Sequence, residues 1–260
     1  MKSRTVMLFW CYSVAATIDC YGQDSTTHRT VFPCGISIQA GIAHFAIRDE
    51  HISGEKYAGP SSSISLLWSW FHETYGFQIG ITYEKAPRIK NYNVSAEVTQ
   101  GTLTLATLYP IGKGDLFGND VFAYIGPSAE AFVYYWRQNI AQNTDASPDV
   151  YQSGAWLLSL GARVEVILPF RGGLQLEGAL QASLLSIGGG TGSGTNNSTP
   201  ITLLTALAGV RGTGEIDLRY YLLASVSVAA GYRLEVTRID SWNYILASSD
   251  NAFASLEYHF

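Results

Sequence analysis

The end of the chain alternates between apolar and polar side chains. Apolar residues occupy every second position there: Ala252, Ala254, Leu256, Tyr258 and Phe260. Between the last four of them lie Ser255, Glu257 and His259, which are polar. In an extended strand a period of two places the two sets on opposite faces. The sequence therefore predicts a terminal strand with one apolar and one water-facing side.

The same alternation recurs along the chain, most clearly where Phe77, Ile79, Ile81 and Tyr83 alternate with Gln78, Gly80, Thr82 and Glu84. Ten such segments predict ten strands, with eight or twelve as the alternatives. The fourth, residues 94–109, changes its apolar face near Gly101, which predicts a β-bulge there. No apolar run after residue 22 reaches the ~20 residues of a membrane-spanning helix.

Polar connections between these segments alternate in length. Five long ones are predicted, at residues 49–60, 85–93, 137–153, 188–200 and 240–250, and the connections between them are shorter. Both chain ends then lie on the side of the short turns. A soluble β-sandwich has no physical reason for such a regular alternation.

The N-terminus has the features of a secretory signal peptide. Lys2 and Arg4 precede an uncharged run, residues 5–18, and Asp19 ends it. That run of about 14 residues is too short to span a membrane as a helix. We predict a signal peptide at residues 1–22 and one barrel domain at residues 23–260. The alternative is a lipoprotein with Cys20 as its lipidated residue.

Charge and cysteine content restrict the function classes. Removing residues 1–22 leaves fourteen basic and twenty acidic side chains, a net charge of −6. This negative charge argues against nucleic acid as a partner. Cys34 is the one cysteine left after residue 22, so the mature chain is predicted to contain no intramolecular disulfide.

These features together resemble the outer-membrane β-barrels of Gram-negative bacteria, whose last strand typically ends in Phe. The resemblance implies an all-β fold, an antiparallel up-and-down transmembrane β-barrel in the outer membrane. It implies outer-membrane lipid and the barrel-insertion machinery as partners, the machinery reading Leu256, Tyr258 and Phe260.

Two aromatic belts fit the resemblance, since amphipathic rings prefer the two membrane–water interfaces. One belt is predicted near the short turns, at Trp68, Trp70, Tyr75, Phe77, Tyr109, Phe122, Phe170, Tyr220, Tyr258 and Phe260. The other is predicted near the long loops, at Tyr83, Tyr92, Tyr134, Tyr135, Trp136, Trp156, Tyr232, Trp242 and Tyr244.

If the apolar face meets lipid, the other face lines the barrel interior. Its predicted charged members are Glu84, Glu97, Glu130, Arg163, Glu165, Glu177, Arg211, Glu215, Asp217, Arg219, Arg233, Glu235 and Glu257. In a soluble barrel each of these charges would cost several kcal/mol unless paired. A ten-stranded lumen is narrow, so a salt-bridged plug is the favoured interpretation. If a conducting path exists, the excess of acids predicts that it favours cations.

The sequence is compatible with three functions. The first is a structural scaffold or a narrow pore. The second is a binding or adhesion module that presents the loops at residues 49–60, 137–153 and 240–250, with no extracellular ligand predicted. The third is a secreted soluble β-barrel.

The sequence predicts no enzyme. Asp49, His51 and Asp240 would lie in neighbouring loops, as the acids and histidine of omptin-like proteases do. The residues His51-Ile52-Ser53 match the His-x-Ser of barrel lipid A deacylases only superficially, because neither family's surrounding motif is present. No histidine spacing suits a metal ion, so no catalytic residue, metal site or cofactor is predicted.

Overall fold

The computed structural model describes residues 34–49, 56–72, 74–91, 94–116, 118–140, 149–194, 197–199, 205–206, 209–240 and 245–260. The predicted signal peptide lies outside the described residues. Within them, no helix is both long and apolar enough to cross a membrane.

The described chain is almost entirely β-strand. Its strands are β1 (Gly35–Asp49), β2 (Lys56–His72), β3 (Tyr75–Asn91), β4 (Val94–Leu116), β5 (Asn119–Ile140), β6 (Asp149–Pro169), β7 (Leu174–Gly194), β8 (Asn197–Thr199), β9 (Thr205–Ala206), β10 (Gly209–Leu223), β11 (Val226–Ile239) and β12 (Ile245–His259). One 3-10 turn, Arg171–Gly173, joins β6 to β7.

Ten long strands close into an antiparallel barrel. Strand β1 pairs with both β2 and β12, and β7 pairs with both β6 and β10, so every long strand has two neighbours. The short strands β8 and β9 pair with β7 beyond its last pairing with β10. The predicted all-β fold with ten strands is confirmed.

The connections divide the barrel into two ends. The turn end carries the connections at residues 73–74, 117–118, 170–173 and 224–225 together with the two terminal strand ends, Gly35 and His259. The loop end carries the connections between β1 and β2, β3 and β4, β5 and β6, β7 and β10, and β11 and β12.

Four of the five loop-end connections are shorter than the sequence predicts, and the one between β7 and β10 is shifted to residues 195–208. Strand β2 begins at Lys56, and the predicted loop at residues 85–93 is reduced to residues 92–93. Polar residues therefore continue the strands, for example Lys90, which pairs with Ser95. Polar side chains do not end these strands, because the backbone hydrogen bonds between neighbouring strands continue beyond the part of the barrel whose outer surface is apolar.

Apolar side chains point outward along the middle of the barrel. Ile38, Leu66 and Leu180 are 54%, 46% and 68% exposed, whereas Gln39 and Ser65, the residues beside two of them, are buried. The apolar face is thus the outer face, as a lipid-facing barrel requires.

The predicted bulge at Gly101 is absent. Gly101 keeps regular pairing with Tyr83 of β3 and Val133 of β5. Burial alternates without interruption from Ala96 to Leu108. The apolar pattern changes face for another reason. Near the loop end the apolar side chains of β4 point into the barrel and the polar ones point outward.

Candidate functional site: the barrel interior

Twelve of the thirteen predicted interior charges lie on the inward face, where they are buried or largely buried. They come from seven strands, because every second residue of a barrel strand points inward. Eight are carboxylates and four are arginines, so the interior carries an excess of four negative charges.

Glu97 is the exception, and its predicted interior position is wrong. Its carboxylate is 2.7 Å from the Lys85 ammonium group on the outer face, and both side chains are at least 40% exposed. The error follows from the assumed bulge at Gly101, since a uniform alternation places Glu97 opposite to the buried Ala96 and Val98.

Arg211 is the most enclosed of the interior charges, with 2% of its surface exposed. Its Nη2 donates to Glu235 at 2.7 Å and to Thr102 at 3.1 Å, and its Nη1 donates to Thr237 at 2.8 Å. Its Nε lies 3.5 Å from the carboxylate of Glu130. These partners belong to β4, β5 and β11, so one side chain from β10 connects distant walls of the barrel.

Arg233 forms a second cross-connection closer to the turn end. Its Nε donates to Glu215 at 2.8 Å, and its Nη2 donates to Gln39 at 2.7 Å. Its Nη1 reaches Ser65 on β2 at 3.3 Å, and its guanidinium group lies 5.4 Å from the centre of the Phe253 ring. Both arginines are thus held by neutral as well as acidic groups.

The turn end of the interior holds the other two arginines. Arg219 bridges two acids, with Nη2 3.0 Å from Glu177 and Nη1 3.0 Å from Glu257. Arg163 lies 3.2 Å from Glu165 on its own strand. The four arginines together therefore pair with six of the eight interior carboxylates.

Glu84 is held by neutral donors instead. Ser61, Gln100 and Ser249 all donate to its carboxylate, Gln100 at 2.6 Å and Ser249 at 2.9 Å. Three such donors come from three strands and compensate part of the cost of burying the charge.

Little free space remains between these side chains. One cavity of about 40 Å³ lies among Gln78, Glu165, Glu177, Asp217 and Arg219. A second, of about 70 Å³, lies beside Arg211 and Arg233. Each has room for only a few water molecules.

The loop end of the interior is apolar. The loop-end core consists of Phe45, Ile47, Tyr57, Ala86, Ile89, Ala96, Val98, Phe132, Tyr134, Trp136, Ala155, Leu157, Ile239, Ile245 and Ala247. Trp136 is completely buried and meets Tyr57 edge to face, with 4.9 Å between ring centres. The Arg211 guanidinium group lies 4.6 Å from the centre of the Phe132 ring, where the charged interior meets this core.

The aromatic belts are observed in part. Rings exposed on the outer surface include Tyr75, Tyr109, Phe170, Tyr220 and Tyr258 near the turn end and Tyr83, Tyr135 and Tyr232 nearer the loop end. Tyr134 and Trp136 were predicted for the loop-end belt, but they belong to the loop-end core. Tyr92, Trp242 and Tyr244 lie outside the described residues.

Sequence reasoning missed the neutral members of the interior. Gln78 donates to Glu165 across the lumen at 3.2 Å, and Ser65 and Thr102 bind arginines. A signal was available, because these residues occupy the polar positions of the same alternation that identified the charges. The loop-end core gave no comparable signal, since its apolar residues alternate with polar ones just as lipid-facing residues do.

A serine, a histidine and a glutamate meet at the turn end in the order of a hydrolase triad. The Ser227 hydroxyl lies 2.8 Å from Nε2 of His259, and Nδ1 of His259 lies 3.5 Å from Glu257. Ser227 is only 1% exposed, and neither of the two cavities is lined by Ser227 or His259. Within the described residues the hydroxyl is thus enclosed, and its contact with His259 ties β12 to β11.

Other predicted sites are placed as follows. Leu256 and Tyr258 of the predicted insertion signal are on the outer face, 57% and 56% exposed, and the Phe260 ring lies 6.4 Å from that of Tyr258. His51 lies outside the described residues, and Asp240 pairs with Arg238 at 2.8 Å. Within the part of the chain that the structure describes, no three His, Cys, Asp or Glu side chains are arranged to hold a metal ion.

The closed ten-stranded barrel with an apolar outer face is the fold of the outer-membrane β-barrels. No family model matches the sequence, and no curated protein matches it. The likeness is therefore to solved structures alone.

The outer-membrane protease OmpT from Escherichia coli is similar with a TM-score of 0.57 and 8% sequence identity, over 88% of this chain and 97% of OmpT. The translocator domain of the autotransporter NalP from Neisseria meningitidis has a TM-score of 0.48 and 13% identity, over 99% of this chain and 97% of that domain. At 8% identity the likeness to OmpT establishes the fold and leaves function to be argued from the site.

Proposed function

We propose that the chain is an integral outer-membrane protein of a Gram-negative bacterium, and that it acts as a structural scaffold with a closed lumen. The observation that carries this proposal is the position of Arg211. This residue is 2% exposed, and its contacts with Thr102, Glu130 and Glu235 cross the lumen. An ion moving through the barrel would have to separate these groups and then enter the apolar loop-end core.

The outer surface supports the location. Exposed aliphatic side chains cover the middle of the barrel, and exposed tyrosines lie towards both ends. Leu256 and Tyr258 face outward, where the insertion machinery would meet them. Cleavage of residues 1–22 on export remains a prediction from the sequence.

The first test is heat-modifiability on isolated outer membranes. A closed transmembrane barrel is expected to change its gel mobility on boiling and to appear only in that membrane fraction. A protein that appears in the soluble periplasm without a mobility shift would contradict the proposal.

The second test is conductance in planar lipid bilayers. The wild-type protein is expected to give no steady current. A variant with Ala at Arg211, Phe132, Trp136 and Leu157, which removes the cross-lumen contacts of Arg211 and opens the loop-end core, is expected to conduct and serves as the positive control. Steady, cation-preferring current through the wild-type protein would instead favour the narrow pore.

A second candidate function is a binding or adhesion module, and the unequal height of the barrel wall favours it. Strand β7 pairs with β10 only as far as Ala182, but it pairs with β6 as far as Ser193. Strands β5 and β6 pair as far as Ile140 and Asp149. One side of the barrel therefore projects beyond the other at the loop end and offers a surface to a partner.

Replacing residues 141–148 with a Gly-Ser linker separates the two candidates. Lost cell adhesion in a barrel that remains heat-modifiable would favour the binding module. Unchanged adhesion would favour the scaffold. Replacing residues 117–118 with Gly-Ser is the matched control, because these residues form a connection at the turn end, which is the opposite end of the barrel.

A further inference from the structure

Three basic side chains, Lys56, Arg88 and Lys90, are exposed on the outer face of β2 and β3 near the loop end. Within the described part of the chain, none of these three, here called the basic cluster, forms an ion pair. Glu97 on the neighbouring strand β4 is paired with Lys85 instead, at 2.7 Å. The whole chain has a net charge of −5, so a local group of unpaired positive charges indicates an anionic partner.

A β-bulge in β3 brings Arg88 into the basic cluster. The pairing of β2 with β3 shifts between Ala58 and Ser62, where β3 contains one residue more than β2. Pro87 and Arg88 are both exposed there, although neighbouring residues of a regular strand point to opposite faces. The bulge therefore directs the Arg88 side chain to the outer face, where a regular strand would direct it inward.

The basic cluster is compact and lies on one side of the barrel. Lys90 pairs with Ala58, and Lys56 lies two residues before Ala58 on β2. Lys56 and Lys90 are thus diagonal neighbours on one face, with about 7–8 Å between them. Strands β6 and β7, in contrast, carry no lysine or arginine on their outer faces. Such a one-sided arrangement fits a ligand bound at one place on the outer wall.

The height of the basic cluster restricts the kind of ligand. The apolar outer surface of β3 ends with Ile81 and Tyr83, which are 53% and 46% exposed. Arg88 and Lys90 lie five and seven residues farther along the strand. At a rise of about 3.3 Å per residue and a tilt of about 40°, this is about 13–18 Å beyond Tyr83. The headgroup region of a phospholipid leaflet adds only about 5–8 Å, so the anionic group must be carried on a thicker headgroup.

We propose that the basic cluster binds phosphate groups on the sugar headgroup of a glycolipid in the outer leaflet. One phosphate offers several acceptor oxygens, which suit a planar guanidinium group flanked by two ammonium groups. The inference rests on the proposed function, because it requires the loop end to lie at the outer leaflet. It adds to that function a binding site and a class of lipid.

The experiment titrates the full chain, purified and delipidated in a nonionic detergent, into fluorescent lipopolysaccharide that lacks O-antigen. Fluorescence anisotropy gives the apparent dissociation constant. Lys56→Gln, Arg88→Gln and Lys90→Gln in one variant are expected to weaken binding at least about tenfold, because three charges near an anionic lipid surface are lost. Chemical removal of the phosphates from the lipid is expected to weaken wild-type binding to a similar degree.

Two control variants separate charge at this place from charge in general. A triple variant with Lys56→Arg, Arg88→Lys and Lys90→Arg keeps the three charges and is expected to retain most of the binding. Lys113→Gln removes an exposed basic group at the turn end, where Lys113 pairs with Asp120 at 2.9 Å. This variant is expected to bind the lipid as the wild type does.

Three results would overturn the inference: equal binding by the wild type and the triple Gln variant, equal binding of the dephosphorylated lipid, or displacement by heparin or inorganic phosphate as effective as by unlabelled lipid. The last result would assign the cluster to a soluble anion. Heat-modifiability is measured alongside, since a wild-type protein without a mobility shift would refute the scaffold proposal instead. If the triple Gln variant does not fold, Lys90→Gln alone and the phosphate dependence of wild-type binding decide.

Discussion

The two halves of the barrel interior solve the same packing problem with different chemistry. In the half towards the turn end, four arginines and eight carboxylates fill the lumen, with glutamines, serines and threonines between them. In the half towards the loop end, the loop-end core fills it with aliphatic and aromatic side chains. Phe132 marks the boundary, because its ring lies under the Arg211 guanidinium group.

The difference follows from what surrounds each half. Where the outer face is apolar, the inward face carries the polar residues, and their charges must be paired across the lumen. Beyond the apolar outer surface, the polar residues point outward, as Lys85 and Glu97 do. The interior there can be apolar and is stabilised as the core of a soluble protein is.

The largest effect is expected for Trp136→Ala in the loop-end core. Removing a completely buried indole ring should lower the free energy of unfolding by about 4 kcal/mol, through lost burial and the remaining cavity. Denaturant unfolding in lipid vesicles measures this. Tyr135→Ala, which truncates the neighbouring ring on the outer face, should cost much less. An equal loss for both would remove the distinction between core and outer surface.

Arg211→Met tests the charged half. It leaves Glu130 and Glu235 buried without their cation, which should lower the free energy of unfolding by about 3 kcal/mol. Adding Glu130→Gln and Glu235→Gln should restore much of that loss, because the uncompensated charges then disappear. A triple variant no more stable than the single one would mean that Arg211 acts by packing alone.

The smallest energetic effect is expected for Lys85→Ala on the outer face near the loop end. The Lys85–Glu97 pair is exposed, so its loss should change the free energy of unfolding by about 0.5 kcal/mol. That change should shrink further in high salt. A loss comparable to that of Arg211→Met would show that this face is not in water.

Finally, Ser227 should not react with a fluorophosphonate probe, although His259 and Glu257 lie in triad order beside it. The physical reason is burial, since Ser227 is 1% exposed. Intact-mass analysis after incubation with the probe checks this. A mass increase that disappears in Ser227→Ala would make the turn end a catalytic site and overturn the prediction that the chain is not an enzyme.

The ten strands and the inward face of twelve charges could be predicted because a period of two is a local property of the sequence. Glu97 and the predicted long loops failed for one common reason. Alternation reveals that two faces differ, but not which of them faces the interior, and that assignment changes near the loop end. A bulge at Gly101 was therefore inferred where only the surroundings change.

The sequence by itself determined the strand periodicity, the number of strands and the residue types on each face, since these depend on neighbouring residues. The tertiary structure decided which charges meet. Arg211 and Thr102, or Gln78 and Glu165, come from strands far apart in the chain, and only the closed register brings them within hydrogen-bonding distance. The same register gives the terminal nitrogens of Arg219 to Glu177 and Glu257, which lie on two other strands.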